Sequence, residues 1–153
     1  MPSTDIYILS GPVHTGKTTA LMQWASGRID VHGILTPVGE DGKRFFYDLQ
    51  SKVRWPMEAE VGETEILSIG KFVFSAKAFQ RAIELLRSAI NTDGWLVIDE
   101  IGPMELKGEG FAEVFGEILG ERKGKLVVVM REGIIKDICI SFQIGEFSEF
   151  RIA

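Results

Sequence analysis

Apolar positions along this chain switch repeatedly between the short continuous runs of buried strands and the spacing of helices. Ile6-Tyr7-Ile8-Leu9 lies in a predicted strand over residues 5–10, and Thr19, Ala20, Leu21, Met22, Gln23, Trp24 and Ala25 then predict a helix ending near Gly27. A second extended span covers 32–36, Gly39-Glu40-Asp41-Gly42 predicts a turn, and 44–47 returns as a strand, so this region reads as a hairpin. Residues 50–65 carry Pro56 and Gly62 without a clean period and read as irregular. Phe72-Val73-Phe74 predicts a short strand. Ser75 is then the N-cap of a helix reaching Ile90, with Phe79, Ala82, Ile83, Leu86, Ala89 and Ile90 on one face and Asn91-Thr92-Asp93-Gly94 as its stop. Trp95-Leu96-Val97-Ile98 and Leu126-Val127-Val128-Val129-Met130 are apolar runs of strands buried on both faces. Between them Phe111, Val114, Phe115, Ile118 and Leu119 form a helical stripe of core residues, and a helix over 133–142 and a strand near 147–152 complete the pattern.

Strands alternating with helices predict an α/β fold with a mostly parallel central sheet flanked by helices and a β-hairpin insertion near 32–48. The 153 residues are one domain's length of chain, so 1–153 is expected to form a single domain. In such sheets ligands bind beyond the carboxyl ends of the strands, and that rule brings the segment after the first strand, the end of the Trp95 run and Arg131 to one edge.

Chemistry enters at that edge. Gly11-Pro12-Val13-His14-Thr15-Gly16-Lys17-Thr18 joins the first strand to the first helix in the pattern G-x-x-x-x-G-K-[ST]. Glycines let the backbone curl so that its N–H groups converge on an anion, and the positive end of the helix adds to the attraction. The segment from Gly11 through Thr19 is therefore the candidate phosphate-binding loop, with Lys17 reaching the β- and γ-phosphates and the Thr18 hydroxyl a ligand for Mg²⁺. Asp99-Glu100, at the end of a buried strand, has the form of the Walker B partner: Asp99 as the second Mg²⁺ ligand and Glu100 as the group that orients and deprotonates water. Charge on the transferred phosphoryl group calls for a further cation, for which Arg131 is the first candidate and Arg44 and Lys71 are the others. His14 is expected to lean toward nucleotide or solvent without an acid–base role, and His32 reads as a strand-end residue.

The 22 acidic against 17 basic residues give a net charge of −5, with the cations scattered, so neither a nucleic-acid surface nor a polybasic membrane patch is indicated. Cys139 is the only cysteine, which excludes an internal disulfide and a cysteine-based zinc site; it reads as a buried, inert thiol. The first apolar run has no cationic lead and is shorter than a membrane span. A soluble cytoplasmic protein is the expectation, with its protein partners unassigned.

Asp99-Glu100-Ile101-Gly102-Pro103-Met104-Glu105-Leu106, together with the phosphate loop, resembles the small nucleoside-triphosphatase family typified by the animal cancer-related nucleoside-triphosphatase and its thermophile, THEP-type, relatives. Gly42-Lys43-Arg44-Phe45 and Ile69-Gly70-Lys71-Phe72 support the likeness, which extends over about residues 6–130. The resemblance implies a P-loop fold of RecA-like or kinase-like type and Mg²⁺-dependent hydrolysis of several nucleoside triphosphates, ATP and GTP among them, to diphosphate and phosphate. It maps the nucleotide loop onto residues 11–19 and the Walker B acids onto Asp99 and Glu100. His14 stands where the family usually has glycine, and Pro37-Val38 where it commonly has an acidic pair. Glu105 reads either as a neighbour of the metal's water shell or as a cap of the following helix. The alternatives to a hydrolase are a small-molecule or nucleotide kinase, whose lid would need clustered arginines, and a nucleotide-sensing module with little turnover.

Overall fold

The structure, a computed structural model, describes residues 4–11, 16–69 and 72–152. Its main sheet has seven strands in the order β4-β3-β2-β7-β8-β1-β9. These are β1 (Thr4–Gly11), β2 (Val31–Leu35), β3 (Phe45–Asp48), β4 (Arg54–Pro56), β7 (Trp95–Asp99), β8 (Gly124–Arg131) and β9 (Ser148–Glu149). A separate antiparallel pair is made by β5 (Ile66–Ile69) and β6 (Phe72–Ser75). The helices are α1 (Lys17–Ala25), α2 (Ala76–Ser88), α3 (Pro103–Leu106), α4 (Ala112–Glu121) and α5 (Ile135–Ser141), the last entered through a 3-10 turn.

Strands β2, β7, β8, β1 and β9 are parallel to one another, whereas β3 pairs antiparallel with both β2 and β4 at one edge. β8 lies between β1, which ends at Gly11, and β7, which carries Asp99. One strand therefore separates the two strands whose carboxyl ends carry Gly11 and Asp99.

Alternation along the central strands divides the core between the two sheet faces. Ile8, Ile34, Leu96, Ile98, Leu126, Val128 and Met130 pack with Phe79, Ala82 and Leu86 of α2, Val114, Phe115 and Ile118 of α4 and Ile138 of α5. Val31, Leu35, Val97, Val127 and Val129 pack on the other face with Leu21 of α1 and Phe150. Each fully buried aliphatic side chain contributes about 1.5–3 kcal/mol. Ser75 caps α2 as expected, its hydroxyl accepting from the Ala78 N–H at 3.2 Å. At Gly33 the backbone has φ +127°, and a Cβ would sit 2.0 Å from the Val97 carbonyl oxygen. Only glycine lets β2 approach β7 so closely, and this approach delivers residue 36 to the end of the Asp99 strand.

The hairpin appears where the Asp41-Gly42 turn places it, with Ile34 opposite Asp48 and Leu35 opposite Tyr47. The reading of 50–65 as irregular is corrected at its centre, because β4 pairs Trp55 with Phe46 and extends the sheet edge. Trp55 explains why: its ring packs on Phe46 at 5.6 Å and its indole N–H donates to the Ala78 carbonyl at 3.0 Å. A strand of this length buries a single residue and leaves no period to detect. β5 and α3 are equally short and were not anticipated. Cys139 is half-buried against the core, less enclosed than expected, and burial pushes its thiol pKa up. Among the described residues no helix is long and apolar enough to cross a membrane.

Candidate active site

Because β1, β2, β7 and β8 are parallel, their carboxyl ends, at Gly11, Leu35, Asp99 and Arg131, meet at one edge. Gly11 is buried there, in register with Arg131. Pro12, Val13, His14 and Thr15 lie outside the described residues, as does Lys71. The chain re-enters at Gly16, whose φ of +76° is the left-handed conformation glycine adopts without strain, and Gly16 is the N-cap of α1. Lys17 opens the helix and its Nζ donates to the Gly11 carbonyl at 3.2 Å. The first N–H groups of α1 have no intrahelical acceptor, so the helix presents donors and positive potential to this edge.

Thr18, one residue further, donates from its hydroxyl to Oδ2 of Asp99 at 2.7 Å. The backbone N–H of Thr36 donates to the same oxygen at 3.1 Å. Asp99 is only 3% exposed, and burial raises its pKa against the opposing effects of Thr18, Thr36 and Arg44. Glu100 stands further out. Burial raises its pKa as well, and Arg131, whose Nη2 lies 3.5 Å from Glu100 Oε1, opposes the rise. Arg44 reaches the same place from the hairpin, its Nη1 donating to the Thr36 carbonyl at 2.8 Å.

These groups line a cavity of about 220 Å³. Gly16, Lys17, Thr18, Thr19, Asp99, Glu100 and Arg131, all selected from the sequence, face it together with Thr36, Pro37, Val38 and Arg44. Thr36 is the residue that sequence reasoning missed. Its main-chain N–H and its side chain both favour the Asp99 carboxylate, and the available signal was positional, a polar residue ending the strand beside β7. His32 is not part of the lining, in keeping with its reading as a strand residue.

Glu105 resolves to a structural role. It is 5% exposed, and its two oxygens accept from the N–H of Gly102 at 2.7 Å and of Phe111 at 2.9 Å, tying α3 to the entry of α4. Burial pushes its pKa up to about 7.

The site thus gathers a cationic amine, a helix N-terminus, a hydroxyl and a buried carboxylate in contact, a second carboxylate at the rim and guanidinium groups. Such a set is chemically suited to binding a polyphosphate and stabilising charge on it.

The chain matches the family described as NTPase over residues 6–147. It is 31% identical over 138 residues to the nucleoside-triphosphatase THEP1 of Thermococcus kodakarensis, covering 82% of this chain and 76% of that one. The protein of the same name from Saccharolobus solfataricus is 30% identical over 132 residues, covering 80% and 74%. Among solved structures, THEP1 from Aquifex aeolicus superposes with a TM-score of 0.71 over 97% of this chain and 90% of that one, at 16% identity, which speaks to the fold alone.

Proposed function

We propose that this chain, which belongs to the NTPase family, hydrolyses nucleoside triphosphates to diphosphate and phosphate with Mg²⁺ at the cleft between α1 and the end of β7. The observation that carries the reading is the contact between Thr18 and Asp99, which joins a hydroxyl and a buried carboxylate beside the helix N-terminus. Both are hard oxygen ligands of the kind Mg²⁺ takes. Among the described residues no group of three or more His, Cys, Asp or Glu side chains is placed to hold a metal. Thr18 and Asp99 would hold the Mg²⁺, and a bound ion would supply positive charge to offset that of the polyphosphate.

The remaining roles belong to the chain's own groups. Lys17 and the main chain of residues 11–19 bind the phosphates. Glu100 holds a water and takes its proton as the water oxygen bonds to the γ-phosphorus. The bond from phosphorus to the β–γ bridging oxygen breaks with its electron pair leaving on the diphosphate. Burial raises the proton affinity of Glu100 and so makes it a better base than a solvated carboxylate. Arg131 keeps that carboxylate at the rim through their ion pair and adds positive charge there. Among the described residues the threonines and charged groups of the lining suit phosphate and metal, and the reading extends to ATP, GTP and other triphosphates. The solitary Cys139 supports a reducing, cytoplasmic setting.

Phosphate release is the test, measured for ATP, GTP, CTP and UTP with Mg²⁺, with chelator, and with nucleoside or nucleotide acceptors. Equal amounts of phosphate and diphosphate, formed without an acceptor and abolished by chelator, are expected. Transfer to an acceptor in place of phosphate release, or binding without turnover, would overturn the reading.

A further inference from the structure

We propose that Arg44, carried by the β2–β3 hairpin, is the cation that neutralises charge on the transferred phosphoryl group, so that the chain supplies its own transition-state arginine. This rests on the hydrolase reading above and departs from the sequence-based preference for Arg131.

The first observation is position. β7, with Asp99 and Glu100 at its end, lies between β2 and β8 in the sheet. Arg131 ends β8, whereas Arg44 returns from the hairpin that extends β2. Both line the cavity and flank the acids from opposite sides.

The second observation is how each positive charge is engaged. Arg131 faces the Glu100 carboxylate at 3.5 Å, so its charge is already answered by an anion. Arg44 donates to a neutral carbonyl, that of Thr36, and forms no ion pair among the described residues. No described carboxylate pairs with it at contact distance, and the guanidinium keeps further N–H donors in a planar fork suited to two phosphate oxygens.

The third observation is the rigidity of the mount. The Gly39 N–H donates to the Lys43 carbonyl at 2.8 Å, the Phe45 N–H to the Pro37 carbonyl at 3.1 Å, and the Lys43 N–H to Asp41 Oδ1 at 3.0 Å. The Met57 N–H, from the strand beyond, donates to the carbonyl of Arg44 itself at 3.3 Å. A cation fixed before the reaction stabilises developing charge without reorganisation at that moment.

Finally, the Thr36 residue is held from two sides, its N–H by Asp99 Oδ2 and its carbonyl by Arg44. One short segment therefore sets both the metal carboxylate and the arginine. Arg44 also opposes the burial-driven pKa rise at both Asp99 and Glu100. In the step itself the attacking water loses its proton to Glu100, the bridging oxygen departs on the diphosphate, and Arg44 contributes only charge and hydrogen bonds.

The experiment compares the parent protein with Arg44→Ala, Arg44→Lys and Arg131→Ala. It measures kcat and KM for Mg²⁺–ATP, and calorimetric binding of Mg²⁺–ADP with and without aluminium fluoride, which mimics the phosphoryl group in flight. For both Arg44 variants kcat should fall by about 10²–10³ with KM within about threefold. ADP binding should persist while the gain from aluminium fluoride is lost. Lysine, lacking the fork, should not restore either property, and the parent's kcat should not depend on protein concentration. Retention of the fluoride-dependent gain by Arg44→Ala, or its loss only in Arg131→Ala, would overturn the assignment while leaving the hydrolase reading standing. A parent protein that releases no phosphate would remove that reading, and the assignment with it.

Discussion

The Thr18 hydroxyl donates to Oδ2 of Asp99 at 2.7 Å although 81 positions separate the two residues. Together with Thr36 it hydrogen-bonds a carboxylate that burial would otherwise penalise heavily. Thr18→Ala removes a proposed metal ligand and leaves this buried oxygen with one donor fewer. The apparent affinity for Mg²⁺ should fall by about ten- to a hundredfold, as when other groups orienting a metal site are removed. Thr18→Ser, which keeps the hydroxyl, should behave as the parent. Titration of phosphate release with Mg²⁺ at saturating ATP measures the difference, and equal midpoints for all three proteins would argue against a metal at this position.

Glu100 offers a cleaner separation of binding from chemistry. Glu100→Gln preserves shape and hydrogen bonding but cannot take a proton, so kcat should drop by about 10²–10⁴ while calorimetric affinity for a non-hydrolysable Mg²⁺–ATP analogue stays within about threefold. Because burial raises the pKa of Glu100, with Arg131 opposing, the parent's kcat should climb with pH as this carboxylate deprotonates. The Gln variant should lack that limb. A pH profile that is unchanged in Glu100→Gln would assign the base elsewhere.

The parts of this site that were legible in the sequence are those whose chemistry demands a side chain at fixed spacing. Lys17, Thr18 and Asp99 follow from a glycine-rich turn at a strand–helix junction and from an apolar run ending in acids, and the parallel sheet then brings them together. Thr36 stayed hidden because its larger contribution comes through its peptide N–H, which every residue but proline possesses. Its importance arises from the close passage of β2 along β7 at Gly33, a tertiary fact. Trp55 hid β4 for a different reason, since one aromatic anchor holds a strand too short to carry a period. Choosing between Arg44 and Arg131 required knowing that Arg131 meets the Glu100 carboxylate whereas Arg44 meets a main-chain carbonyl, and distance along the chain does not encode that.

Glu105 makes stability depend on pH. It is an acid whose folded pKa, about 7, lies above its ordinary value of 4.5, with desolvation the leading cause. Between those values the native protein holds a proton that the unfolded chain has released, so the free energy of unfolding falls as pH rises through this window and levels off above it. The shift corresponds to about 3 kcal/mol. Asp99 and Glu100, also raised by burial, add slopes of the same sign. Urea unfolding of the parent at intervals from pH 5 to 8 should reveal the decline. In Glu105→Gln, which cannot titrate, the decline should be shallower by about that amount. Parallel curves for the two proteins would mean that Glu105 is ionised throughout the range in the folded state.

Arg122 lies at the opposite edge of the sheet and separates stability from activity. It is 2% exposed and meets main-chain carbonyls where arginines usually meet carboxylates. Its guanidinium donates to Ile90 at 3.1 Å, Thr92 at 3.0 Å, Gly94 at 2.9 Å and Lys125 at 2.9 Å. These carbonyls follow α2 and flank the starts of β7 and β8, so one cation closes the carbonyl ends that a helix terminus and its following turn leave open. Burial lowers its pKa, with Asp93 opposing, yet it remains charged at any working pH. Arg122→Met keeps much of the volume but strands several buried acceptors, each worth about 1–3 kcal/mol when left unpaired. Some of those oxygens will find water, so a net loss of about 3–5 kcal/mol is expected, in the range for breaking a buried charged network. Chemical unfolding measures the loss. Because none of these carbonyls belongs to the cleft, kcat of the folded fraction should stay within about twofold of the parent, and a large fall in kcat with stability intact would reverse the assignment.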